Sequence, residues 1–284
     1  MFIPRQVVEE RLKEFLAEDV GEGDVTASAI IPQKCVVNAE VVAKVDGIVA
    51  GLEEATILAE SMGLKVDAKV ADGDKVKNQQ VLMTLQGDAQ TVLSIERTLL
   101  NLLSRMSGIA TKTHSLSEKL KKAKVKARVA ATRKSAPGLL YFDKKAVALG
   151  GGDPHRLHLD DLVLIKDNHL AIVGSVEEAV KKAKANASFS KKIEVEVTSL
   201  QDALKAAEAG ADIIMLDNFS PNQAKEAGEE LRKAGHNNVM LEISGRITAE
   251  TLLEYASAHV DIISMGELTH SVKALDISLE IVKS

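Results

Sequence analysis

Arg133-Lys134, His155-Arg156 and Lys166 gather cationic side chains in three short segments, AATRKSAPG, GGGDPHR and LVLIKDNH. Each segment ends an apolar run or forms a glycine-rich loop. The chain around them is acidic, with 36 Lys+Arg against 41 Asp+Glu, so the concentration is local. Buried or half-buried cations are costly unless something anionic meets them. A small, multiply charged anion in a pocket is the economical explanation. Arginine offers planar, bidentate recognition of carboxylate or phosphate, whereas lysine acts as a point charge. Together the five side chains could neutralise two carboxylates plus part of a phosphate.

Oxygen ligands and phosphate-type loops accompany them. Glu196 and Asp217 are hard donors suited to Mg²⁺ or to ribose hydroxyls. Ser244-Gly245 and Gly266-Glu267 open loops after late apolar runs, where backbone N–H groups commonly hold a terminal phosphate. Blander readings stand beside these. A Glu within IEVEV could make an internal salt bridge, and the glycines of GGGDPHR could form only a turn. Lys166 could be a Schiff-base nucleophile, but Asp167 and the nearby cations favour a charge-binding role. His169 and His270 lie near strand ends as second-tier candidates.

Composition narrows the class. An apolar fraction of 45% in 284 residues is ample for a core. With no Trp, two Tyr and five Phe, a base-stacking nucleic-acid surface is not expected. Cys35 is the only cysteine, which excludes an internal disulfide and a Cys-based zinc cluster. The first residues read as a charged helix rather than a signal peptide, and no stretch is apolar enough to span a membrane. A cytoplasmic protein is the expectation.

The elements that position these groups fall into two patterns. Residues 5–17 form an amphipathic helix, and 35–51 alternate so that Val37, Ala39, Val41, Ala43 and Val45 share one strand face. LEEATILAESMG is a helix stopped at Gly63. The next stretch is hairpin-like, with turn chemistry at Asp72-Gly73. From 88 to 106 a strong helix carries Val92, Ile95, Leu99, Leu102, Leu103 and Met106 on one face, with Asp88 as N-cap. Ser107-Gly108 is expected to end or bend it. That gives an N-terminal domain over 1–106, with 272–284 as a segment that could join it.

Beyond residue 123, apolar runs at 127–131, 162–165, 193–197, 213–216, 239–243 and 262–265 alternate, in the later part, with helical patterns near 199–209, 221–234 and 248–257. Parallel βα units follow from that alternation. Residues 107–271 are too few for eight full units, which typically take about 250 residues, so an incomplete α/β barrel is expected. Barrel enzymes work at the C-terminal ends of their strands. All the polar signals fall at that one end: Thr132-Arg133-Lys134, Lys166-Asp167, Glu196, Asp217-Asn218, Ser244-Gly245 and Gly266.

In order along the chain, EDVGEGDVTA, ERTLLNLLSRMSGIAT, TRKSAPG, AVALGGGDPHR, LVLIKDNH, IEVEV, IIMLDNF and LEISGRI resemble the signature blocks of the quinolinate phosphoribosyltransferase family. The resemblance implies an α/β sandwich-like N-terminal domain, a seven-stranded open α/β barrel and a homodimer. It implies transfer of phosphoribose from phosphoribosyl pyrophosphate to quinolinate with decarboxylation, a Mg²⁺ requirement and a role in NAD biosynthesis. Carried over by position, Arg97 would reach the partner's site. Thr132, Arg133, Lys134, His155, Arg156 and Lys166 would hold carboxylates and phosphates. Glu196 and Asp217 would bind Mg²⁺ or ribose, and Ser244, Gly245, Arg246, Met265, Gly266 and Glu267 the 5′-phosphate side. Lys134, Lys166, Glu196 and Asp217 would be the catalytic groups.

Four positions depart from the family's usual residues: Ser135 for Thr, Leu140 for Arg, Pro154 for Asn, and Arg246 where a small or amide residue is common. A molybdenum-associated branch shares the TRK and His-Arg blocks, but LIKDNH favours the quinolinate enzyme. A Schiff-base aldolase and a non-catalytic phosphate-ligand sensor are the readings from other classes.

Overall fold

In the computed structural model, which describes residues 3–282, the chain divides into two compact units. The first holds the residues up to Lys112, Ala148–Gly150 and the segment from Val272. The second holds Thr113–Val147 and Gly151–Ser271. The outermost residues of the expected 1–106 and 272–284 segments, 1–2 and 283–284, lie outside the described residues.

The first unit contains α1 (Arg5–Val20), α2 (Val25–Ile30), β1 (Val36–Ala43), β2 (Gly47–Ile48), α3 (Leu52–Ser61), β3 (Lys65–Ala68), β4 (Lys75–Val76), β5 (Val81–Asp88) and the start of α4 (Ala89–Lys122). Its main sheet is antiparallel, in the order β12-β1-β5-β3, where β12 is Ile277–Val282. Helix α1 packs on α3, and α3 on β3. The alternation in β1 buries Ala39, Val41 and Ala43, whereas Val45 beyond the strand is exposed. Asp72-Gly73 form the expected turn, with Gly73 at φ 93° and Asp74 N donating to Ala71 O at 3.1 Å, but the strands beside it do not pair with each other: β3 pairs with β5, and β4 with β2. The Asp72 carboxylate also accepts the backbone N–H of Leu52 at 2.9 Å, supplying the N-terminal cap that Gly51 lacks.

Helix α4 runs through Ser107-Gly108 for 34 residues, so the expected break there is absent. The reason is packing. Ser107 is fully buried, and its hydroxyl exchanges hydrogen bonds with the backbone of Ala50. A Cβ on Gly108 would stand 2.2 Å from the Lys273 carbonyl oxygen. Glycine is there for close backbone approach, which costs helix propensity of about 1 kcal/mol relative to alanine but does not stop the helix. Asp88 caps the start, accepting from Thr91 N at 3.0 Å. The six apolar residues expected on one face are all buried.

The second unit carries β6 (Arg128–Ala130), α5 (Leu140–Leu149, its last residues in the first unit), β7 (Val163–Ile165), α6 (Asp167–Val173), α7 (Val176–Asn186), β8 (Ile193–Val197), α8 (Leu200–Ala209), β9 (Ile213–Asp217), α9 (Pro221–Lys233), β10 (Met240–Ser244), α10 (Leu252–Ala256), β11 (Ile262–Ser264) and α11 (Glu267–His270). The strands form one parallel sheet in the order β6-β11-β10-β9-β8-β7, a partial α/β barrel. Every apolar run expected to be a strand is one. Ser199 and Ser220 cap α8 and α9 by accepting from the N–H three residues on.

The expected seventh strand is reduced to a single bridge, Ala130 with Asp153. Asp153 N donates to Val129 O and Ala131 N to Asp153 O, as in a parallel ladder. The next link would run from His155 N to Ala131 O. His155 instead adopts φ 54° and turns its N–H to the side chain of Asp153. With that N–H diverted, pairing stops.

Candidate active site

Side chains alternate across a strand, and in this sheet one face of each of β7 to β11 lines a common cavity of about 820 Å³. That volume suits a small-molecule site, which typically measures ~300–1,000 Å³. Leu164 and Lys166 follow the same alternation as Met215 and Asp217, and Glu242 precedes Ser244 in the same way. Ladder pairing sets Glu196, Met215 and Glu242 at one level across β8, β9 and β10. Beyond the strand ends come Thr132-Arg133-Lys134, His155-Arg156, Gly245-Arg246 and Met265-Gly266-Glu267.

Thus each site residue expected from the sequence lines this cavity except Arg97. That arginine belongs to the first unit, on α4, with its side chain 63% exposed and 3.8 Å from Glu96. Of the second-tier histidines, His270 lines the cavity. His169 accepts the Lys166 N–H at 2.9 Å and so fixes the start of α6.

Local geometry explains how the cations are held. The TRK segment turns tightly: Lys134 N donates to Thr132 Oγ1 at 3.2 Å, and Thr269 Oγ1 donates to Lys134 O at 2.7 Å. Ser135, in place of the usual Thr, keeps a hydroxyl that donates to Asp143 at 2.6 Å. Lys166 Nζ donates to Glu196 Oε2 at 2.8 Å. Burial, with the Arg133 charge adding to it, pulls the Arg156 pKa below its ordinary value. Two guanidiniums that repel each other in a cavity form a preorganised anion site.

Beneath them lies a polar cluster that sequence reasoning missed. Glu194 and Glu242 are buried among apolar strand residues. Glu242 accepts from His155 Nε2 at 2.9 Å and from Ser264 Oγ at 2.5 Å, and Glu194 stands 3.5 Å from His155. Burial and the adjacent Glu242 charge push Glu194 up to about 8. Burial alone would pull His155 down, but the hydrogen bond and charge of Glu242, aided by Glu194, raise it above its ordinary value. His155 is therefore held as a cation over a wider pH range than a free imidazole. The signal was present in IEVEV and VMLEIS: an acid at the inward position of a strand must face the barrel interior.

The loop after β10 is set by Gly245, at φ 114°, where a Cβ would meet Asn218 Oδ1 at 2.5 Å. Asn218 in turn donates to Asp217 Oδ2 at 2.7 Å. Arg246, at φ 50°, is a non-glycine residue in the left-handed region and lines the cavity with its neighbours. The result is a pocket with cations just beyond β6 and β7 and in the 153–156 turn, carboxylates on β8, β9 and β10, and loops after β10 and β11.

Two family models match the chain: the quinolinate phosphoribosyl transferase N-terminal domain over residues 24–107 and its C-terminal domain over 109–280. A probable nicotinate-nucleotide pyrophosphorylase [carboxylating] of Methanothermobacter thermautotrophicus is 46% identical over 271 residues, covering 95% of this chain and 97% of that protein. The Homo sapiens nicotinate-nucleotide pyrophosphorylase [carboxylating] is 39% identical over 239 residues, covering 84% of this chain and 80% of its own. The solved structure of NadC from Streptococcus pyogenes superposes with a TM-score of 0.91 at 35% identity, covering 100% of both chains. The nicotinate-nucleotide pyrophosphorylase structure from Francisella tularensis gives 0.90 at 35% identity, over 99% of this chain and 98% of that one. Matched in both domains and by relatives along nearly its whole length, the chain belongs to the quinolinate phosphoribosyl transferase family.

Proposed function

We propose that the cavity transfers phosphoribose from phosphoribosyl pyrophosphate to quinolinate and releases pyrophosphate and CO₂, leaving nicotinate mononucleotide. The observation that carries this reading is one pocket lined by Arg133, Lys134, His155, Arg156 and Lys166, with Glu196 and Asp217 on neighbouring strands. Quinolinate is a planar pyridine with two adjacent carboxylates. Arg133 and Arg156 suit those carboxylates by bidentate geometry, and His155 adds a charge held by Glu242.

Bound this way, the ring nitrogen faces the anomeric carbon. It bonds to that carbon as the carbon–oxygen bond to pyrophosphate breaks, through a transition state with oxocarbenium character. Lys134 and Lys166 stabilise the developing pyrophosphate charge, and Glu196 and Asp217 tolerate positive charge on the sugar. Loss of the 2-carboxylate as CO₂ then leaves its electron pair on C2, where the adjacent quaternised ring nitrogen stabilises the carbanion as an ylide. The resulting ylide carbon takes up a proton. Positioning and electrostatics suffice, with no covalent enzyme intermediate.

Glu196 and Asp217 fit Mg²⁺, because that ion binds through one or two carboxylates together with phosphates and water. When bound, it would neutralise charge on the departing pyrophosphate. The backbone at Ser244-Gly245, with Arg246, and at Met265-Gly266-Glu267 would receive the 5′-phosphate. No helix among the described residues is long and apolar enough to cross a membrane. Cytoplasmic NAD biosynthesis is part of this reading, in keeping with a single free cysteine, Cys35.

A homodimer completes the reading, with Arg97 of one protomer serving the partner's cavity. Its exposed guanidinium, which borders a surface hollow together with exposed Ile30 of its own unit, supports this role. Arg97→Ala and Lys134→Ala homodimers are each expected to be nearly inactive. Mixed and reassembled, they should regain activity, because one mixed site carries both wild-type groups. Failure to regain any activity, with heterodimer formation verified, would place Arg97 outside the partner's site. The function itself is tested by turnover with phosphoribosyl pyrophosphate and either quinolinate or nicotinate. Turnover on quinolinate alone is expected, and turnover on neither acceptor would overturn the reading.

A further inference from the structure

We propose that Lys144, which lies behind the cavity lining, is a positioning residue whose ammonium clamps the carbonyls of Ala131 and Pro154 and so holds the Arg133 and His155-Arg156 segments in register. This rests on the proposed reaction only for its kinetic readout.

Lys144 has no exposed surface, although it lies on α5 in the run FDKKAVA, which reads as a helix with a polar face. Burying an ammonium costs several kcal/mol unless its donors are used. Here they are used on main-chain carbonyls: Nζ donates to Ala131 O at 3.4 Å and also to Pro154 O. Those two residues are not arbitrary. Ala131 directly precedes Thr132-Arg133-Lys134, and Pro154 directly precedes His155-Arg156.

The clamp sits where the parallel ladder fails. Ala131 O would have accepted His155 N, but His155 turns away at φ 54° and bonds to Asp153. Without Lys144 that buried carbonyl would lose its partner, and nothing in the ladder beyond Asp153 would tie the two segments. The Asp153 side chain cannot substitute, because a carboxylate has no proton to donate to a carbonyl; it accepts from His155 N–H and pairs with Arg128 at 3.1 Å. Two strand ends that carry repelling guanidiniums need a tether, and Lys144 supplies it.

Its electrostatic setting agrees. Burial pulls the Lys144 pKa down to about 8, with Arg133 and Arg156 adding to the fall, while Asp153 and Glu242 oppose it. The ammonium thus adds positive potential behind the anion site without touching the bound anion.

Lys144→Met keeps the stem and removes the donors. Losing hydrogen bonds from a charged donor is worth roughly a factor of 10 to 100. The expected results are a quinolinate Kd, by calorimetry, raised about 10- to 100-fold and a KM for phosphoribosyl pyrophosphate changed less than about threefold. Backbone amide exchange at residues 131–135 and 153–157 should accelerate about tenfold or more, with β8 and β9 unaffected. Lys144→Gln, which retains a donor, is measured alongside and should fall between the two, and it serves if the Met variant does not fold. Unchanged exchange at both segments, or loss of stability with unchanged quinolinate affinity, would overturn the proposal. If the wild-type protein itself fails to bind quinolinate, the proposed reaction fails, and the exchange result alone still decides the role of Lys144.

Discussion

Arg133→Ala is expected to lower kcat/KM for quinolinate by between about thirtyfold and a few thousandfold, because truncating one partner of a desolvated charge pair costs about 2–5 kcal/mol. Arg133 lines the cavity beside Lys134 and Arg156, and its charge bears on both Arg156 and Lys144. Removing it relieves that repulsion, so the protein should be no less stable while the anion site is weakened. Arg133→Lys should recover only part of the activity, since a point charge cannot make the planar two-bond contact. Steady-state kinetics with thermal denaturation of the same samples provide the check. A change under threefold would show that no substrate carboxylate rests on Arg133.

Glu242→Leu should be the most destabilising of the single changes near the site, at about 3–5 kcal/mol, the usual cost of breaking a buried ion pair. It strips the 2.9 Å partner from a His155 side chain that is only 11% exposed, and the acceptor from Ser264. The pH dependence carries a sign. The folded-state pKa of His155 is raised, so its contribution is fully present below the ordinary imidazole value and fades as pH rises through the raised one. Glu194, pushed up to about 8, acts in the same direction. Wild-type stability should therefore decline as pH rises from about 4.5, where a free glutamate ionises, through about 8. The deficit of Glu242→Leu should be larger at pH 6 than at pH 9. Urea denaturation at the two pH values tests this, and an equal deficit at both would remove the charge-pairing explanation.

Much of this was legible in the residues. Strands β6 to β11 announce themselves as short apolar runs, and the polar residue ending each one marks the working end of a barrel. The cavity lining followed from that rule, because position along a parallel strand fixes which end a side chain serves. What escaped depends on contacts far apart in sequence. Ser107-Gly108 looks like a helix stop, since glycine's role there is set by the backbone at Lys273. The seventh strand dwindles to a bridge because His155 leaves the extended conformation, a local choice that the apolar pattern does not encode. Lys144 is held by the carbonyls of Ala131 and Pro154, contacts that nothing in its own stretch of sequence encodes. Glu194 and Glu242 could have been found by period-two alternation, but an acid flanked by valine or isoleucine reads equally well as a lone internal ion pair.

The family's activity makes one demand that no simple binding protein or aldolase shares: the carboxylate beside the ring nitrogen must leave only after that nitrogen has been alkylated. The most direct measurement follows quinolinate labelled in its 2-carboxyl group, supplied with phosphoribosyl pyrophosphate and Mg²⁺. Labelled CO₂, nicotinate mononucleotide and pyrophosphate should appear one for one, and labelled CO₂ should be absent when phosphoribosyl pyrophosphate is withheld. Mononucleotide without labelled CO₂, or labelled CO₂ without the phosphoribosyl donor, would contradict the account.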